Sequence, residues 1–147
     1  MGRRCTIDIS QIKNLCNDLE KIDVDLFCEA CAKELTARLL AKVVKRTPVG
    51  EYKHKVGGNL RRGWTNNKGV KQFADNAKVH RFSNYYVVEI ENPVEYASYV
   101  EYGHRTRNHN GWVEGKFMLT ISEKEIQGKS QAIIQKKFDK WLKEVFR

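Results

Sequence analysis

Residues 92–104 read Asn-Pro-Val-Glu-Tyr-Ala-Ser-Tyr-Val-Glu-Tyr-Gly-His, and the sequence changes here from a sheet-like to a helical pattern. Asn92 is a favourable N-cap, and Pro93 fits the first position of a helix. Gly103 fits the position just after a helix C-cap. We therefore predict a short helix over 93–102. The alternation of the larger apolar side chains also fits an extended segment, so the sequence alone permits both.

Two short strands are predicted immediately before this helix, over 79–82 and 85–91, around a turn at 83–84. In the second strand apolar and acidic side chains alternate, and the acidic ones are Glu89 and Glu91. One face would be buried and the other would meet water, as in a half-buried antiparallel strand.

A long helical pattern comes before the strands. Apolar residues recur at helical spacing over 11–45, which predicts one long helix or two helices kinked near Asp23. The Thr-Pro step at 47–48 ends the pattern, since the residue before a proline avoids helical dihedrals.

The C-terminal segment predicts one more helix. Ser122 and Glu125 form a capping-box signature, and an apolar stripe continues to about residue 146. The order is therefore a long N-terminal helix, a small antiparallel sheet, a short helix and a C-terminal helix, which defines an α+β fold. At this length we expect a single domain over 1–147.

Two polar stretches, near 49–63 and 104–116, are predicted to be mobile loops, because they contain glycines and show no apolar period. Trp64 follows the first of them and would begin the sheet-like sequence. Loops this long commonly carry function or become ordered on binding.

The charge is unevenly distributed along the chain, whose formal net charge is +9. Residues 46–81 contain nine basic and two acidic residues, whereas 82–103 contain four glutamates and no lysine or arginine. A ring-forming protein can set a basic wall against a neighbour's acidic wall. The chain shows neither a secretory signal nor an apolar run near the roughly 20 residues of a membrane span, so we expect synthesis in a cytoplasm.

Four cysteines occur, and Cys28 and Cys31 have the spacing of a redox or metal motif. A thioredoxin-like site needs a strand before the pair, whereas these two lie within a helical pattern. A zinc site needs four ligands, usually from two paired motifs, and Cys5 and Cys16 have no paired partner nearby. We therefore expect free thiols packed as small apolar side chains, with no metal and no cofactor.

A small basic ribonuclease of the toxin type is an alternative function. Tyr102, His104, Arg105 and Arg107 lie close together in the sequence and could surround a phosphate. No nucleophile–base arrangement can be read from their spacing, and loops carry polar residues for solvation alone. We therefore expect a protein that is not an enzyme.

Nucleic-acid binding without catalysis is a related alternative. Arg61, Arg62 and Trp64 interleave charge with an aromatic ring, a pattern that can hold phosphate and stack on a base. The same pattern also fits a junction at which Trp64 enters the core.

Three segments carry a family resemblance: Thr-Pro-Val-Gly at 47–50, Gly-Asn-Leu-Arg-Arg-Gly-Trp at 58–64, and residues 92–104. Their most specific part is Tyr-Ala-Ser-Tyr-Val-Glu-Tyr-Gly-His at 96–104. Together they resemble the gene-product-ten-like family of phage tail-completion, or head–tail joining (neck), proteins, over about residues 12–146. The resemblance implies a structural virion protein without an active site, which forms a hexameric ring between the capsid connector and the tail.

The resemblance also implies partners and a location. The partners would be further copies of the chain, the portal, connector or head-completion proteins, and the tail terminator or tail-tube protein, with non-specific contact to passing DNA. The chain would lie in the virion after assembly in the host cytoplasm; a morphogenesis factor absent from the virion is the remaining alternative. The residues expected to touch other subunits are Lys55, Arg61, Arg62, Glu89, Glu91, Glu95, Tyr99, Glu101, Tyr102, His104, Arg105 and Arg107.

Overall fold

The computed structural model describes residues 10, 11, 14, 17, 24–83 and 85–146. The four isolated residues near the N-terminus are helical. Helix α1 (Val24–Arg46) confirms the predicted N-terminal helix over its second half, and the predicted kink near Asp23 lies outside the described residues.

The C-terminal helix α5 (Met118–Val145) packs along α1. Phe27, near the start of α1, stacks on Trp141, near the end of α5, with ring centroids 4.6 Å apart. At the opposite end, Lys42 pairs with Glu125 at 2.8 Å. The two helices therefore run antiparallel and form the long side of the molecule.

The core lies at the C-terminal end of α1. Its buried side chains have less than a tenth of their surface exposed, and each contributes about 1.5–3 kcal/mol of burial free energy. Partly buried apolar residues between 88 and 100 pack against it, so the segment that follows the first hairpin closes one side of the core. The central cluster consists of Leu40, Val43, Leu60, Trp64 and Met118.

Two short helices occupy the stretch between α1 and the first hairpin, namely α2 (Asn59–Gly63) and α3 (Val70–Asp75). The predicted loop is therefore wrong for 59–63, and the prediction of sheet-like sequence from Trp64 is wrong as well. Helices of five and six residues are too short to show a recurring apolar stripe. Leu60 in α2 and Ala74 in α3 are nevertheless buried, so tertiary packing stabilises both helices.

Four short strands form two antiparallel hairpins. Strands β1 (His80–Phe82) and β2 (Tyr85–Val87) confirm the predicted pair, although β2 is shorter than predicted. Strands β3 (Gly103–Arg105) and β4 (Trp112–Glu114) lie within the stretch predicted to be a loop over 104–116. That prediction is wrong at both ends of the stretch, because three-residue strands give almost no alternation to detect.

The short helix α4 (Ala97–Tyr102) confirms the predicted helix and excludes the extended alternative for these residues. It begins later than predicted, because the Asn92 side chain does not cap it. The Asn92 carboxamide oxygen instead accepts the backbone N–H of Val94 at 3.1 Å and forms a local turn. Gly103 follows the helix with φ +88°, a left-handed conformation that favours glycine, as predicted.

The predicted capping box at the start of the last helix is wrong. Helix α5 begins at Met118, four residues before Ser122, so Ser122 lies inside the helix and is fully buried. Its hydroxyl donates to the Met118 carbonyl at 2.6 Å, a bond typical of serine within a helix. Glu125 is likewise inside the helix and pairs with α1.

Candidate functional site

The end of α1 is joined to α2 through Thr47, which has no exposed surface. The Thr47 hydroxyl donates to the Val43 carbonyl at 2.7 Å and accepts the indole N–H of Trp64 at 2.8 Å. The Thr47 carbonyl oxygen accepts two bonds from the Arg61 guanidinium, at 2.7 and 3.2 Å. The hydroxyl and carbonyl groups of Thr47 are thus both hydrogen-bonded by side chains of the segment 58–64. We call this segment, together with Thr47, the buried junction.

The loop that connects α1 to α2 is closed at its base. Arg62 donates to the Gly57 carbonyl at 3.0 Å. Gly50 and Gly57 approach so closely that a Cβ atom at Gly57 would collide with the Gly50 carbonyl oxygen. The two ends of the loop therefore meet, and Lys55 and Val56 lie exposed between them.

The two arginines predicted to face another subunit thus act within their own chain. Arg61 and Arg62 donate to carbonyl oxygens on either side of the loop. Trp64 is only 5% exposed and uses its N–H on Thr47, so its ring is unavailable for stacking on a base. The burial of Trp64 therefore favours the second interpretation of this pattern, a junction at which the indole enters the core, while Arg61 is half-buried and Arg62 is exposed.

Asn92 connects the buried junction to residues 92–104, the third of the segments that carry the family resemblance. Its side-chain amide donates to the Leu60 carbonyl at 2.7 Å while its oxygen holds Val94. A Cβ atom at Gly63 would collide with the Asn92 carboxamide, so the glycine permits the close approach. The three segments that carry the family resemblance are therefore one connected structural unit.

Glu101 has a structural role that the sequence did not reveal. Its side chain is buried, with 6% exposed, and its carboxylate accepts the backbone N–H groups of Leu119 and Thr120 at 3.0 and 2.9 Å. These N–H groups belong to the first turn of α5 and have no partner within the helix. Glu101 is therefore a capping group for α5, and its carboxylate is bonded within its own chain.

Exposed aromatic side chains lie on and beside α4. Tyr96, Tyr99 and Tyr102 recur every three residues on and beside α4, so they are neighbours on the helix. Tyr102 is 63% exposed and Trp112, on the adjoining hairpin, is 55% exposed. Tyr99 lies against His104, with ring centroids 5.7 Å apart. We define the aromatic surface as Tyr96, Tyr99, Tyr102, His104 and Trp112.

The hairpin backbone fixes the position of this surface. A Cβ atom at Gly103 would lie 3.0 Å from the Trp112 ring, so the glycine lets the indole approach the end of α4. Lys116 N–H donates to the Val100 carbonyl at 2.7 Å, and Phe117 N–H donates to the Glu101 carbonyl at 3.0 Å. The chain that follows the second hairpin is thus bonded to α4.

The remaining predicted interface residues lie at the molecular surface. Glu89, Glu91 and Glu95 are exposed on the segment that closes the core, and Arg105 and Arg107 are exposed on the second hairpin and its turn. Tyr99, Tyr102, His104 and Arg105 lie near one another because they are close in the sequence. His109 lies in the exposed turn between β3 and β4 with φ +58°.

Two ion-pair groups between α1 and α5 could not be found from sequence spacing. Glu125 binds both Lys42 and Arg46, and these cations lower the pKa of the Glu125 carboxyl to about 2. Lys137 donates to Glu34 at 2.7 Å and lowers the pKa of the Glu34 carboxyl. The partners are about 80 to 100 positions apart, so only the antiparallel packing of the two helices brings them together.

The cysteines agree with the expectation of packed thiols where the structure describes them. Cys31 is buried and Cys28 is half-buried, and both are free. Burial raises the pKa of the Cys31 thiol above its ordinary value. Within the described ranges no three His, Cys, Asp or Glu side chains are grouped as metal ligands. Cys5 and Cys16 lie outside the described residues.

The buried junction and the aromatic surface define an α+β scaffold that presents aromatic side chains on a short helix and on the hairpin that follows it. A family model described as "Bacteriophage HK97-gp10, putative tail-component" matches residues 11–103, well over half of the chain. The chain belongs to this family, and it is a phage tail-component-like protein.

Comparison with curated proteins and with solved structures gives no match. In the part of the chain that the structure describes, no helix is long and apolar enough to cross a membrane.

Proposed function

We propose that this chain is a structural virion protein that joins the phage tail to the capsid connector, as one subunit of a ring of identical copies. Membership of a phage tail-component family supports a structural role. The observation that carries the proposal is the aromatic surface around α4. Large exposed aromatic side chains are costly to keep in water and are enriched where proteins meet.

The way the aromatic surface is held supports assembly. Glu101, in the same helix as Tyr99 and Tyr102, is fixed by Leu119 and Thr120, and Gly103 permits the close approach of the second hairpin to α4. A surface that is already ordered loses little conformational entropy when a partner covers it. Tyr99, Tyr102, His104, Arg105 and Arg107 would contact a partner here.

The proposed partners follow from a position at the head–tail junction. Neighbouring copies of the chain would form the ring, which would contact the portal, connector or head-completion proteins on one side. The tail terminator or tail-tube protein would contact the other side. The exposed loop around Lys55 would touch one of these partners, and part of the +9 charge would face passing DNA.

Electron microscopy of purified particles, with the chain carrying a small tag, tests this proposal. We expect density for the tag in a ring at the junction between capsid and tail. Quantitative mass spectrometry of the same particles should give one ring of copies per particle. Finished particles that lack the chain would identify a morphogenesis factor instead and would overturn the proposal.

A further inference from the structure

We propose that a groove between α1 and α5 receives the acidic segment 88–95 of a neighbouring copy of this chain. The inference rests on the proposed ring and names the contact that would build it. The groove has a volume of about 840 Å³ and runs along the middle and C-terminal part of α5. We call it the basic groove.

The basic groove carries more positive charge than its own chain neutralises. Lys129, Lys136, Lys140 and Lys143 line it, and among the described residues none of these lysines forms an ion pair. Lys137 also lines the groove but is already paired with Glu34. The four lysines form a row along one side of α5, from the first to the last about 21 Å at 1.5 Å per residue.

The acidic segment presents exposed carboxylates on its outer side. Residues 88–94 form no regular hydrogen-bonded element, and inward and outward side chains alternate along them. Ile90 and Val94 pack against the core, whereas Glu89, Glu91 and Glu95 are exposed. The exposed carboxylates of the acidic segment therefore oppose the row of lysines in sign.

The contact joins two different surfaces of the same chain. No ion pair among the described residues joins the segment 88–95 to the basic groove within one copy. A contact between unlike surfaces is heterologous, and its repetition gives a closed ring or an open filament. Arg61 and Arg62, which the sequence predicted to touch other subunits, already donate to carbonyl oxygens of their own chain.

The lining of the groove offers apolar contact to a protein segment. Ala132 and Ile133 also line the groove, and they would pack against the side chains of a peptide segment. Pro93 is exposed between the glutamates of the acidic segment and offers such an apolar contact.

The test is complementation of particles that lack the natural chain, using three charge-reversed variants. The first carries Lys136→Glu and Lys140→Glu, the second carries Glu89→Lys and Glu91→Lys, and the third carries all four changes. All four side chains are exposed, so thermal denaturation should show folded proteins of nearly unchanged stability. Lys71→Glu with Lys124→Glu is a matched control, since both lysines are exposed outside the groove.

We expect each of the first two variants to lower incorporation into particles by about ten-fold or more. The third variant, which carries all four substitutions, should restore incorporation. The control should assemble like the natural chain. If the groove bound DNA, the variant with four substitutions would stay defective, because the phosphate charge would still be negative. This result would overturn the proposal. Normal assembly of either variant with two substitutions would also overturn the proposal.

Carbodiimide coupling in purified particles separates this inference from the function on which it rests. Mass spectrometry should find amide crosslinks between the acidic segment of one copy and lysines of the basic groove of another. Particles that contain the chain in a ring but lack these crosslinks would overturn the groove contact alone. Particles without the chain would overturn the function as well.

Discussion

Glu101 and Thr120 are joined by two hydrogen bonds: one carboxylate oxygen of Glu101 accepts the Thr120 backbone N–H at 2.9 Å and the Thr120 hydroxyl at 2.7 Å. The bonds link the signature helix α4 to the first turn of α5, where free N–H groups and the helix dipole favour an anion. The most specific part of the family signature therefore holds the C-terminal helix in place.

Replacing Glu101 should destabilise the fold. Glu101→Gln removes the charge at the start of α5 and leaves one oxygen in place of two, so the free energy of unfolding should fall by about 1–3 kcal/mol in chemical denaturation. Glu95→Gln is the control, because Glu95 is exposed, and should change it by less than about 0.5 kcal/mol. Equal stability of the two variants would contradict the capping role.

The bond between Thr47 and Trp64 should appear as a coupling free energy. Thr47→Val and Trp64→Phe each remove one partner of a buried hydrogen bond, so each should destabilise the protein by about 1–3 kcal/mol. The double variant should lose less than the sum of the two, with a coupling of about 0.5–1.5 kcal/mol. Thr47→Val combined with Trp112→Phe, which changes an exposed ring, should be additive. Additivity in both pairs would refute a direct bond.

Acid should weaken the packing of α1 against α5 through Glu125. Its folded-state pKa is about 2, below the ordinary 4.5, so its ion pairs with Lys42 and Arg46 stabilise the protein above about pH 4.5. That stability is lost as the pH falls from about 4.5 towards 2, because protonation of the carboxyl is easier in the unfolded chain. In Glu125→Gln the unfolding free energy should therefore fall less steeply over this range. Glu123→Gln, at an exposed position, should retain the natural pH dependence.

The aromatic surface should be needed for assembly but not for folding. Tyr102→Ser and Trp112→Ser each remove a ring that is more than half exposed, so thermal denaturation should change little. Incorporation of each variant into particles, measured by mass spectrometry, should fall by at least about ten-fold. Tyr85→Ser serves as a control at an exposed tyrosine outside the surface. Normal incorporation of both variants would exclude this surface as a contact.

The local sequence pattern predicted an element correctly where the element is long or ends at a residue with a strong conformational preference. The apolar period over 11–45 predicted α1, and Gly103 marked the end of α4 because its left-handed φ favours glycine. It failed for α2 and α3, whose five and six residues contain too few turns to show a stripe. It also failed at Ser122, because the residue that caps α5 is Glu101, far away in the sequence.

The sequence by itself determined the α+β order of elements, the family signature and the exposed acidic row, since all three depend on residue identity at short spacing. Only the tertiary structure decided what the polar signature residues do. Arg61, Arg62, Trp64 and Glu101 looked like contact residues, yet each donates to or accepts from a backbone or side-chain group brought close by packing. The basic groove likewise exists only because α1 and α5 lie side by side. A hydrogen-bond partner many residues away does not affect the local periodicity of the sequence. Such a partner can therefore be identified only from the folded structure.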